Sequence, residues 1–116
     1  ILIYNSKNQM RLPNQIIYKN SIIKFKYMDK KTSIKEKAYG IYDPKFRTIL
    51  IYKNMKKRDL LNTVLHELVH LIGDKSKYKI RNFSEEKVCN LIGDELGYLF
   101  CKNPQMINFI KRCVNE

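Results

Sequence analysis

The chain has 116 residues, 44% of them hydrophobic, and a formal net charge of +12. That length gives one domain with a modest core, and the ordinary apolar content excludes a disordered chain. No apolar run approaches the roughly 20 residues of a bilayer-spanning helix, and Ile1-Leu2-Ile3-Tyr4 is too short for the apolar segment of a signal peptide.

The charge is unevenly placed. Residues 1–58 carry 15 Lys and Arg against Asp29, Glu36 and Asp43, a net of +12, whereas residues 59–116 carry eight basic and eight acidic side chains. A basic half of this kind suits an acidic partner or nucleic acid, although charge alone gives only nonspecific affinity. The abundance of Lys, Asn and Ile is also what an AT-rich coding bias produces. Cys89, Cys101 and Cys113 form no CxxC pair. They fit reduced thiols in a cytoplasmic compartment, and all three are expected to be small buried hydrophobes on helices.

In chain order, residues 1–14 alternate weakly and end at the turn signal Pro13-Asn14. Residues 15–18 and 22–27 read as strands joined by Lys19-Asn20-Ser21, with Ile23, Phe25 and Tyr27 on one face. Residues 29–37 form a charged loop or frayed helix. Residues 38–42 are a short strand, Asp43-Pro44-Lys45-Phe46 a turn, and residues 48–52 the strongest strand. That last strand leads into the next helix and is expected at the sheet edge, where a peptide can add as a further strand.

A helix follows from about residue 57 to Ile72, with Gly73 as its stop. Residues 75–83 are a polar loop. Ser84 caps a second helix that runs to about Cys101, and Asn103-Pro104 restarts the chain as cap and first helical residue of a last helix. Strands over residues 1–54 and helices over 55–116 define a single α+β domain, with a small twisted antiparallel or mixed sheet packed on three helices.

The chemistry concentrates in Thr63 through Ile72, which contains His66-Glu67-Leu68-Val69-His70. Two histidines four apart stand one above the other on a helix face. Their ring nitrogens suit two positions of a tetrahedral zinc ion, with Glu67 beside them to act on a metal-activated water. On a helical wheel with His66 at 0°, Asp59, Thr63 and His70 fall within about 60°, while Leu61, Leu65, Leu68 and Ile72 cluster around roughly 200–260°. The histidines therefore face away from the apolar side. They are the only two in the chain.

Catalytic zinc usually takes a third protein ligand. Asp74, Glu85, Glu86, Asp94 and Glu95 are the candidates. Asp74 follows the helix too closely to swing back. Glu85 and Glu86 open the next helix. Placing Glu85 at 0° puts Val88, Cys89, Ile92, Leu96, Leu99 and Phe100 within about 60°, so Glu85 is expected at the centre of the inward face and Glu86 at its margin. In favour of Glu86, Glu86-x-x-x-Asn90 resembles a Glu-x-x-x-(Asp/Asn) pairing in which the second residue orients a histidine ligand. Tyr78, in the loop between the helices, is a candidate donor to a developing oxyanion.

The segments Gly40-Ile41-Tyr42, Thr48-Ile49-Leu50-Ile51, Thr63 through Ile72, and Ser84-Glu85-Glu86-Lys87-Val88 through Asn103-Pro104 carry a resemblance. Over roughly residues 38–110 the chain resembles small phage- and mobile-element-associated metallopeptidases of the gluzincin type, near the ImmA/IrrE family and the minigluzincins. The resemblance implies a zincin-like fold and zinc-dependent peptide-bond hydrolysis. It implies His66 and His70 as metal ligands, Glu67 as general base, and a third ligand from the Glu85–Glu86 pair. It also implies a protein substrate such as a repressor-like regulator, cut at one site. The chain departs from ImmA/IrrE proteins in having Val69 where they usually have Gly, and the DNA-binding or regulatory extension of larger relatives is not expected in it. A zinc-stabilised binding module and a basic nucleic-acid-associated protein are the other classes these residues fit.

Overall fold

A computed structural model describes residues 11–76 and 80–114. The alternation over residues 1–10 and the expectation for Tyr78 lie outside the described residues.

The first hairpin pairs β1 (Gln15–Tyr18) with β2 (Ser21–Met28). Lys19 and Asn20 both take positive φ, 47° and 64°, the geometry of a two-residue turn whose twist matches the paired strands. Alternation holds through Ile23 and Phe25, which are buried, but Tyr27 is exposed. Its hydroxyl instead accepts the N–H of Leu12 at 3.1 Å.

The charged segment after β2 is a capped helix. Asp29 accepts the N–H of Thr32 at 2.7 Å and opens α1 (Lys30–Glu36), and Lys37 closes it at φ 53°. A second hairpin pairs β3 (Gly40–Asp43) with β4 (Thr48–Tyr52). Asp43 Oδ1 accepts the N–H groups of Lys45 and Phe46, which fixes the turn.

The four strands form one mixed sheet in the order β1-β2-β4-β3, with β2 and β4 parallel. The crossover through α1 permits that parallel pairing. β4 is thus interior, buried at Thr48, Ile49 and Ile51. The edge beside the next helix belongs to β3, which corrects the expectation that β4 would be the edge strand.

Three helices cover one face of the sheet: α2 (Lys57–Lys75), α3 (Glu85–Lys102) and α4 (Pro104–Val114). A short 3-10 turn, Ile80–Asn82, precedes α3. α2 continues through Gly73 and Asp74 and ends at Ser76, so Gly73 is not its stop. Gly73 does not take positive φ, and glycine ends a helix chiefly by adopting that conformation. The core joins Ile16, Tyr18, Ile23, Phe25, Ile49 and Ile51 of the sheet to the helices. α2 supplies Leu60, Val64, Leu68, Leu71 and Ile72, each 2% exposed or less. At about 1.5–3 kcal/mol each, those five contribute a gross ~8–15 kcal/mol to docking the helix. The apolar face of α2 is thus a principal hold on its position.

Asn103 has a role beyond capping. Its side chain is 1% exposed. Oδ1 accepts the Ile17 N–H at 2.8 Å, and Nδ2 donates to the carbonyls of Ile17 at 2.9 Å and Leu99 at 2.7 Å. One amide thereby clamps the free edge of β1 to the α3–α4 corner, where an unpaired strand edge would otherwise be left. Of the three free cysteines only Cys113 is buried; Cys89 and Cys101 are exposed, contrary to expectation, because Cys89 precedes the part of α3 that joins the core and Cys101 lies off its packed stripe.

Candidate metal and catalytic site

His66 and His70 project from the exposed face of α2, and their Nε2 atoms lie 3.1 Å apart. Two nitrogens bound to one zinc at about 2.0–2.1 Å with tetrahedral angles stand about 3.3–3.4 Å apart. The pair is therefore spaced close to what one ion requires; the helix sets the two side chains on one face and their rotamers bring the ring nitrogens together. The rings meet edge-on, centroids 4.7 Å apart. Val69 between them is 39% exposed, so a side chain larger than glycine is accommodated at the surface.

Glu67 is buried, 4% exposed. The buried arc of α2 is rotated toward it: Leu60, Val64 and Leu71 are buried, whereas Leu61 and Leu65 are only partly covered. The cover over Glu67 is β3. A Cβ built on Gly40 would stand 2.7 Å from Thr63 Cγ2 and 3.0 Å from both Cγ and Oε2 of Glu67. Only glycine lets the strand lie this close. Two residues on, the Tyr42 main chain faces the Glu67 carboxylate and favours its charged form. Burial pushes the Glu67 carboxyl above the usual carboxylate range, against the opposing pull of His66, His70 and the Tyr42 main chain.

Tyr42 makes a second tie. Its hydroxyl donates to Asp74 Oδ2 at 2.8 Å, and burial, with Asp74, raises its pKa. Gly40 and Tyr42 share one face of a strand, and Glu67 and Asp74, two turns apart, share one face of α2. This lattice was missed in the sequence. The seven-residue spacing from Glu67 to Asp74 is the one signal that points to it.

The remaining acidic candidates are dispersed. Asp74 is engaged by Tyr42. Glu95 accepts from the Tyr18 hydroxyl at 2.8 Å and pairs with Lys19 at 3.3 Å. Asp94, Glu85 and Glu86 are exposed. The wheel places Glu85 on the inward side, but α3 joins the core only from Leu91 onward, through Leu91, Ile92, Leu96, Leu99 and Phe100. Its first turns project past the packed region, so Glu85 has nothing to be buried against. Both glutamates stand in the first turn behind Ser84, whose Oγ accepts the Lys87 N–H at 3.3 Å, and there they favour the helix dipole. Among the described residues no group of three or more His, Cys, Asp or Glu is placed to hold a metal ion. The histidine pair fits a metal by its spacing; a third ligand is not assembled beside it.

Comparison with family models, with curated proteins and with solved structures finds no match. No helix among the described residues is long and apolar enough to cross a membrane.

Proposed function

We propose that the chain is a zinc-dependent metallopeptidase of zincin-like fold that hydrolyses a peptide bond in a protein substrate. The observation that carries this reading is one juxtaposition. Two exposed histidine nitrogens stand 3.1 Å apart, and the carboxylate between them in sequence is buried under an edge strand. Zinc bound at His66 and His70 supplies a Lewis acid and lowers the pKa of water. Glu67 Oε accepts the proton of the attacking water as the new C–O bond forms, and returns it to the amide nitrogen as the C–N bond breaks. The close packing of β3 at Gly40 holds that carboxylate in place. Glu85 or Glu86 completes the ligand set in this reading, which requires the first turns of α3 to approach α2. The substrate is a peptide or protein, and a repressor-like regulator is the class that the sequence resemblance suggests.

The exposure of Glu85 and Glu86 favours a second reading, a zinc-binding interaction module without turnover. Glu67→Gln separates the two. In a peptidase this variant keeps its zinc and loses cleavage. A wild-type chain that binds zinc and cleaves no peptide in a mixed library establishes the module instead.

A further inference from the structure

A cleft of about 500 Å³ opens where the end of the sheet meets the first turns of α2. Tyr39, just before β3, and Tyr52, the last residue of β4, form its sheet side. Their rings are 6.0 Å apart and tilted by 38°, and the Tyr52 N–H donates to the Tyr39 carbonyl at 2.8 Å. Tyr39 is 64% exposed, too open for its ring to be explained by the core. Asp59, Asn62 and Thr63 line the helix side. The Asp59 carboxylate makes no hydrogen bond or ion pair among the described residues; only its main-chain carbonyl is used, by Thr63 Oγ1 at 2.8 Å. Thr63 belongs both to this cleft and to the packing of Gly40 over Glu67.

We propose that this cleft binds an arginine side chain of a peptide. A guanidinium is planar and weakly hydrated, so it stacks on tyrosine faces. Its paired N–H groups match a free carboxylate, here Asp59, and Asn62 offers a further acceptor. Lys56 also lines the cleft and opposes a cation there, which gives the proposal a second signed test. The position relative to a cut rests on the peptidase reading. Thr63 and Asp59 lie four and eight residues before Glu67 on α2, or about 6 and 12 Å at ~1.5 Å per residue. An extended peptide at about 3.3 Å per residue spans that distance in two to four residues. The arginine thus sits two to four residues from the scissile bond.

The test is a titration of the full chain carrying Glu67→Gln with a capped hexapeptide bearing one arginine, and with the same peptide bearing the neutral isostere citrulline. It is followed through the amide NMR signals of Tyr39, Tyr52 and Asn62. The arginine peptide is expected to saturate those signals and to bind about fivefold or more tighter than citrulline. Asp59→Asn should abolish the difference, and Lys56→Gln should tighten arginine binding. Equal affinity for the two peptides, shifts confined to other residues, or no saturation by millimolar peptide overturns the proposal. In parallel, the wild-type chain is given a mixed peptide library. Cleavage without arginine enrichment two to four positions from the cut overturns the cleft's assignment and leaves the peptidase reading standing. Arginine-selective binding with no cleavage sinks the peptidase reading and retains the site.

Discussion

Gly40 shows how much a single position carries. Its missing side chain lets β3 lie against Thr63 and Glu67, where a methyl group would stand 2.7 Å from one and 3.0 Å from the other. Gly40→Ala should therefore cost about 1–3 kcal/mol of stability, read from the urea midpoint, and should weaken cleavage further by displacing the carboxylate. An unchanged midpoint would mean the strand relaxes freely. Tyr42→Phe removes one hydrogen bond to Asp74 and should cost about 1 kcal/mol. His66, Glu67 and His70 were legible in the sequence because their geometry is set within one helix. Gly40, Tyr42 and Asp74 were not, because their contacts join a strand to a helix across more than 20 residues of chain, and no local period encodes such a contact.

At the scale of elements, most strands and helices follow from periodicity and caps, and the differences have local causes. α1 forms because Asp29 caps it, a signal hidden in a run of charges. β4 is interior because the chain runs out from β2 through α1 and β3 and returns in β4 between them, parallel to β2 and antiparallel to β3. Its strongly apolar sequence fits an interior strand better than an edge. The inward stripe on α3 is real from Leu91 onward, but a wheel does not show how far along a helix its neighbours extend. Hence Glu85 lies on the inward side and is still exposed. If Glu85 or Glu86 closes the metal site, zinc should slow amide exchange over residues 85–90. Alanine at the ligating glutamate should abolish that effect, while alanine at the other should leave it. The Asn103 clamp makes a separate prediction. Asn103→Ala strands the Ile17 main chain and should cost about 2–4 kcal/mol, seen as a lowered urea midpoint with faster exchange at Ile17.

Across the whole molecule, the helices hold to the sheet by apolar burial, so the metal is expected to add to a fold that already exists. Zinc should raise the melting temperature, and a chelator should lower it without unfolding the chain at 25 °C; zinc in excess of its dissociation constant by about 100-fold adds about 2.7 kcal/mol. Alkali should act through Tyr18 and Tyr42. Burial raises the pKa of both, with Glu95 and Asp74 adding to the effect. A hydroxyl pKa higher in the folded state than in the unfolded chain means the folded state keeps its proton longer. Stability contributed this way is complete below the unfolded value of about 10 and falls as pH rises through it. Tyr18→Phe should flatten that alkaline decline in a denaturant series. Most lysines of residues 1–58 have no part in the proposed chemistry, and Lys24 and Lys26 stand on the sheet face opposite the helices.

Cleavage of a mixed peptide library by zinc-loaded wild type and by Glu67→Gln, with zinc content measured on the same samples, tests the proposed hydrolysis most directly. Equal zinc in both proteins is expected, with turnover in the wild type and a loss of about 10²–10⁴-fold in the variant. Zinc-dependent turnover that survives Glu67→Gln, or a wild-type chain that takes up no zinc, would contradict it.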